Sequence, residues 1–368
     1  MKLTPLYQKH LELGATMYTT GTQYQMPSCY TRPDEEARAV RERVGMIDLS
    51  LMGRLDVKGK DALPLLQRLI VNNAARLQDG QALYSTMCNE QGLIVDDVVV
   101  MRFDARHFRI ITSSRFRRPT HDWILSHAAG HEVYLTDVSS GMAMIGVQGP
   151  RSRAALQASS DFDLARLGFF RFASGQLAGM PCLIVRLGFS GELGYECYFN
   201  TEDGMAAWDA IAAAGKPHGI APYGMDALDL LRLEKGFVFF GYDASASNNP
   251  YECGLWPLIR YDCGDFIGRG ALLQIKERGP ARKLMGLEVG GEQPASADQP
   301  LLLGGRAVGR VVTGFRSPTL DRNLAYAWLE APHFEPGVAV TLEIAGRRHP
   351  ASVVTMPFLD PEGARMRS

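Results

Sequence analysis

Residues 82–114 read ALYSTMCNEQGLIVDDVVVMRFDARHFRIITSS. Two runs rich in Val, Ile and Phe, 93–103 and 107–113, flank Asp104 and Ala105, which predicts antiparallel strands joined by a short turn. Just upstream, KGKDALPLLQRLI (58–70) offers Asp61 as the cap of an amphipathic helix. The run 46–57 before it reads as one strand carrying Gly53. Downstream, 119–129 reads as a helix ended by Gly130, and 131–136 as a strand returning to the first region. These pieces make one α+β unit over 53–137, a sheet meander with a helix on its face.

A similar pattern follows. Strands are expected around 142–147, 170–172, 182–187 and 195–198, with helices at 204–214 and 224–234. Residues 34–44 begin acidic, end basic and precede Gly45, the charge order of a capped helix. The N-terminal fifty residues are assigned to this second unit, giving a discontinuous α+β domain of 1–52 and 138–243 around an α+β domain of 53–137. After Gly241 comes a polar loop, YDASASNNPYECG (242–254). Between 284 and 357 short β-like runs alternate with Gly or Pro, so 244–368 reads as an all-β domain of barrel or jelly-roll type.

The chain has 368 residues, 46% of them hydrophobic, 39 basic and 40 acidic side chains and a net charge of −1. That balance gives no general attraction for nucleic acid or an anionic membrane. No apolar stretch is long enough to span a bilayer and no secretory pattern opens the chain, so a cytoplasmic protein is expected. Its six cysteines form no CxxC pair and are expected to be reduced. No GxGxxG follows a strand and no GxxxxGK[ST] occurs, which disfavours nucleotide and dinucleotide binding. His127 and His131 stand four apart, but Gly130 interrupts them and no HExxH accompanies them, so no metal site is expected. No GxSxG is present.

Adjacent Asp96 and Asp97 lie inside an apolar strand. Alternation sends their side chains to opposite faces, one toward a packed interior and one toward solvent. A buried carboxylate must find partners or shift its pKa, which makes the pair a functional candidate as well as a structural one. GFSGELGYE (188–196) crowds small residues before Glu196 and fits either a tight hairpin or a binding loop. RFRRPTH (115–121) is a local basic cluster, either a solvated face or the seat of an anionic group.

Taken together, these segments resemble the tetrahydrofolate-dependent aminomethyltransferase family, whose founding member is the T-protein of glycine cleavage. The resemblance rests on TPLYQKHLELGA, GMIDLSLMGRLDVKGKDAL, QALYSTMCNEQGLIVDDVVV, MIGVQGP, GFSGELGYE, LRLEKG, DFIGRGAL, SPTLDRNLAYAWL and MPFLDP, in that order along the chain. It implies a three-domain cloverleaf around tetrahydrofolate. It also implies that Asp96, the first aspartate of the family's IDD signature, faces the reacting nitrogen, and that Glu196 accepts the amino and imino N–H groups of the pterin. Tyr84 and Phe170 would line the pterin slot. Ser113 stands where an asparagine near the folate is usual.

The departures bear on the substrate. The Gly-Trp pair near residue 20 is absent from YTTGTQYQMPSCY. Met225 replaces the arginine of the Ala-Arg-Asp segment that would anchor the folate glutamate, leaving Arg115, Arg117 or Arg232 as the cation. NNPYECGL (248–255) is similar to the dimethylsulfoniopropionate demethylase branch, and PYGMDALDLLRLEKG to the folate domain of sarcosine and dimethylglycine oxidising enzymes. The resemblance therefore implies a demethylase that moves a methyl group from a small S-, N- or O-methylated substrate to N5 of tetrahydrofolate. Tyr18, Tyr24 and Tyr30 would contact a cationic donor, and a lipoyl carrier protein is not the expected partner. Two alternatives are an aminomethyltransferase of glycine cleavage and a non-enzymatic folate-binding iron–sulfur assembly factor. The second carries a KGCYxGQE signature, for which this chain has KGFVFFGYD (235–243).

Overall fold

A computed structural model describes residues 1–368. The segment quoted first forms most of a five-stranded antiparallel sheet, in the order Gln81–Cys88, Ile94–Asp104, His107–Thr112, Gly53–Lys58 and Tyr134–Asp137. The helices Ala62–Leu69 and Arg117–Ser126 cover one face, where Leu65, Leu66 and Ile124 bury themselves against Val98, Val100, Phe108 and Ile110. Asp61 does not cap its helix. Its carboxylate instead accepts the Glu132 N–H at 2.7 Å, which pins the connection that enters the edge strand.

The expected single strand over 46–57 is two strands in two different sheets. Val44–Asp48 belongs to a six-stranded sheet and Gly53–Lys58 to the five-stranded one. The break is held by polar contacts: Asp48 Oδ1 accepts the Ser50 N–H at 2.8 Å, and the buried Arg54 guanidinium donates to the Ser50 carbonyl at 3.0 Å. The six-stranded sheet runs Phe172–Leu177, Met180–Val185, Gly194–Asn200, Met142–Gln148, Val44–Asp48, Ile220–Pro222, with only the last pair parallel. Trp208 and Ile211 of the helix Gly204–Gly215 pack on one face. Ala37 and Val40 of Pro33–Glu42, with Leu228 and Leu231 of Met225–Glu234, pack on the other.

That second face also receives Ala82, Met101 and Ile111 of the five-stranded sheet, so the two sheets share one core. Main-chain bonds seal the joint: Ala82 N–H donates to the Phe170 carbonyl and Phe172 N–H to the Gly80 carbonyl, both at 2.9 Å. Phe170 makes this turn with a φ of 57°. The C-terminal region closes into a six-stranded barrel, Arg282–Val289, Asn323–Glu330, Arg306–Arg316, Pro300–Leu303, Ala339–Ile344 and Arg347–Val354. All six cysteines are free thiols, and no helix is long and apolar enough to cross a membrane.

Candidate active site

Strand alternation sorts the two aspartates. Asp96 shares a face with Val98 and Val100 and is fully buried beneath the helix Arg117–Ser126. Its Oδ2 accepts the Thr112 and Thr120 hydroxyls, each at 2.5 Å, and its Oδ1 accepts the Asp97 N–H at 2.9 Å. Burial and the adjacent Asp97 charge hold its pKa well above the carboxylate range, against the pull of the two hydroxyls.

Asp97 points the other way, with Val99 and Met101, toward the other units. It is half-buried rather than open to solvent as alternation predicted, and its Oδ2 accepts the Tyr84 hydroxyl at 2.7 Å. Tyr84 opposes Val99 in the register, so phenol and carboxylate lie diagonally on one face. Burial raises the Asp97 pKa and the Tyr84 hydroxyl restrains it.

Glu196 sits opposite Gly146 in the six-stranded sheet, on the face that carries Tyr198 and the shared core. One oxygen accepts the Tyr198 hydroxyl at 3.2 Å. Burial pushes its pKa up to about 7, with Tyr198 and Arg54 acting in the opposite direction. Asp97, Tyr84 and Glu196 thus arise from two sheets and face one interface. Phe170 lies at the seam of that interface, its ring edge-on to Phe169 at 4.7 Å. The Ser113 hydroxyl is buried with no partner.

The three arginines separate. Arg232 is buried in ion pairs with Asp243 and with Asp229 at 2.6 Å, and Arg117 holds Asp137 at 2.5 Å. Arg115 is exposed and carries no carboxylate partner.

The three tyrosines do not form a cage. The Tyr30 hydroxyl bonds to His10 Nδ1 at 2.8 Å, and His10 Nε2 bonds to the buried Asp48 at 3.0 Å. Tyr24 lies under the Lys2 ammonium at 5.3 Å. Tyr18 alone turns toward Asp226, Asp229 and Tyr242; burial first, then those neighbours, raise its pKa to about 12.

Aromatic side chains also pair along residues 237–242. Phe189 stacks on Phe237 at 5.4 Å, Phe239 meets Tyr242 at 4.6 Å, and Phe240 meets Phe116 at 4.8 Å. Their signal was the run FVFFGY (237–242), four aromatics in six residues, more than the packing of one short loop requires.

Residues 6–262 match the GCVT N-terminal domain and residues 282–360 the glycine cleavage T-protein C-terminal barrel domain. The chain is 39% identical to an aminomethyltransferase of Symbiobacterium thermophilum over 365 residues, covering 97% of each chain. It is 35% identical to one of Halothermothrix orenii, covering 98% of this chain and 100% of that one. In three dimensions it is similar to the glycine cleavage system aminomethyltransferase T of Bartonella henselae, with a TM-score of 0.91, 26% identity and 98% of each chain covered. With both family models matched in order and the relatives matched over nearly their whole length, the chain belongs to the glycine cleavage T-protein family of aminomethyltransferases.

Proposed function

We propose that this chain transfers the methylene carbon of an S-aminomethyl group to tetrahydrofolate, its C–N and C–S bonds breaking to release ammonia and the carrier thiol while two bonds to folate nitrogens form, with Asp97 as the carboxylate nearest the reaction. As a member of its family it is a one-carbon-group transferase that uses tetrahydrofolate. The observation that carries the assignment is the division of labour between the aspartates. Asp96 is sealed with three donors, whereas Asp97 has one phenolic partner and lies on the strand face turned toward the other sheet.

The residues fit the pterin. Glu196 engages only one protein donor, leaving acceptor capacity for the paired N–H groups of an aminopyrimidinone edge. Ser113 brings a buried hydroxyl in need of a partner. When bound, tetrahydrofolate supplies the nucleophilic nitrogen. Asp97, held in place by Tyr84, provides negative charge beside a centre that becomes cationic during transfer. Glu196 fixes the ring's orientation.

The aminomethyl donor is favoured over a methyl donor by the names of the relatives and by the Bartonella protein's place in a glycine cleavage system. A lipoyl carrier protein is therefore the first partner to test, contrary to the expectation from the sequence departures. Demethylation of a small cationic substrate is the second reading. It is supported by Tyr18, which faces Asp226, Asp229 and Tyr242, a combination that suits an ammonium or sulfonium group.

The purified protein is to be incubated with tetrahydrofolate and either aminomethylated lipoyl carrier protein or a panel of methylated ammonium and sulfonium compounds. Mass spectrometry of the folate reads the outcome. Methylene-tetrahydrofolate with release of ammonia supports the first reading. 5-Methyltetrahydrofolate formed from a small compound overturns it in favour of the second.

A further inference from the structure

Reduced folates carry a benzoylglutamate tail with two carboxylates, and such a tail requires a cation whose charge is not already matched. Around the site most arginines are matched. Arg117 is held by Asp137, Arg232 by Asp229 and Asp243, and Arg109 by Asp56. Arg54 spends its donors on the carbonyls of Ser50, Ser139 and Met142. Arg115 has no acidic partner and makes no hydrogen bond with its guanidinium, yet it has a defined seat.

Its guanidinium carbon lies over the Tyr242 ring, 5.8 Å from the centroid. Its stem passes against Gly241, where a Cβ would come within 2.9 Å of Arg115 Cδ and where φ is +95°. Glycine at 241 therefore leaves the groove that the arginine occupies. Both flanks of the segment are tied down: the Ser114 hydroxyl bonds to Thr22 at 3.1 Å, and Phe116 packs on Phe240. Two residues earlier stands Ser113 with its buried, unpartnered hydroxyl. Tyr242 also neighbours Tyr18, which lies near Asp226 and Asp229.

We propose that Arg115, seated between Gly241 and the Tyr242 ring, binds a carboxylate of the folate tail while Tyr242 offers its exposed face to the benzoyl ring. This rests on the folate reading above. The pterin would lie inward, at Glu196, and the tail would leave past Ser113 toward Arg115.

Calorimetric titration with two stable probes tests it: 5-formyltetrahydrofolate, and the corresponding 5-formyltetrahydropterin without a tail. Arg115→Gln should weaken the folate about ten-fold and leave the tail-less pterin unchanged, the size expected for one charge-assisted contact. Rising salt should narrow the wild-type preference for the tailed probe. Equal affinity of wild type and Arg115→Gln for the folate, or an equal loss for both probes, overturns the assignment of Arg115. Failure of the wild type to bind either probe overturns the folate reading itself, and the tail site with it.

Discussion

The Tyr84 hydroxyl donates to Asp97 Oδ2 at 2.7 Å across a strand diagonal, and it is the only side-chain donor that carboxylate receives. Asp97→Asn should keep the fold and lower turnover by about 100-fold or more, since it removes charge beside the reacting nitrogens. Burial holds the Asp97 pKa above the ordinary range, so activity requiring the carboxylate falls as pH drops through that raised value. Tyr84→Phe removes a donor that favours the charged form and should move this acidic limb to higher pH. A pH–rate profile of the two variants checks both; an unmoved limb removes Asp97 from the mechanism.

Asp96 should behave differently. Asp96→Ala strands two buried hydroxyls and an N–H at about 1–3 kcal/mol each, less whatever the hydroxyls regain by turning to other acceptors. Substantial loss of stability on denaturant titration is expected. Asp96→Asn keeps one acceptor oxygen for the two threonine hydroxyls but turns an NH2 group toward the Asp97 N–H, so it should lose less stability than Asp96→Ala and retain most of the turnover.

Glu196 couples stability to pH. Its ordinary value of 4.5 rises to about 7 in the folded chain, so its contribution is full below 4.5 and is lost as pH rises through 7. Glu196→Gln cannot ionise. It should therefore melt like the wild type at acidic pH and about 5 °C higher at pH 8, while binding 5-formyltetrahydrofolate at least about ten-fold more weakly. Thermal melts across pH, paired with calorimetry, would reveal this opposition of stability and binding.

A buried ion network joins the barrel to the helices. Arg41 donates to Glu192 at 2.9 Å and to Glu234 at 2.8 Å, and Glu234 also accepts the Ser317 hydroxyl at 2.5 Å and the Thr319 hydroxyl at 2.8 Å. Arg41→Met leaves Glu234 buried without a cation and should cost about 3–5 kcal/mol. Chemical denaturation measures it; a change below about 1 kcal/mol would show that the hydroxyls suffice.

Strand alternation and turn residues made the sheets legible. The expected pair 93–103 and 107–113 is observed as Ile94–Asp104 and His107–Thr112. The break within 46–57 was not legible because Arg54 and Asp48 hold it through contacts that leave no periodic mark. Alternation also placed Asp96 and Asp97 on opposite faces without saying which face a helix would cover. Thr120, 24 residues away, decides that. The bond that ties Tyr30 to His10, 20 residues earlier, leaves no local sign in the sequence. The aromatic run 237–242 is visible in the sequence, but its partners Phe189 and Phe116 come from distant loops.

The bonds Ala82 to Phe170 and Phe172 to Gly80 have a consequence for how the chamber breathes. They weld the halves bearing Asp97 and Glu196 into one stiff chassis whose amides should be among the slowest to exchange with deuterium. Little affinity is then lost to rearranging the floor when a guest arrives. The segment 237–243 is tied down as well, the amides of Phe237, Phe239, Gly241, Tyr242 and Asp243 all being hydrogen-bonded, so it too should exchange slowly.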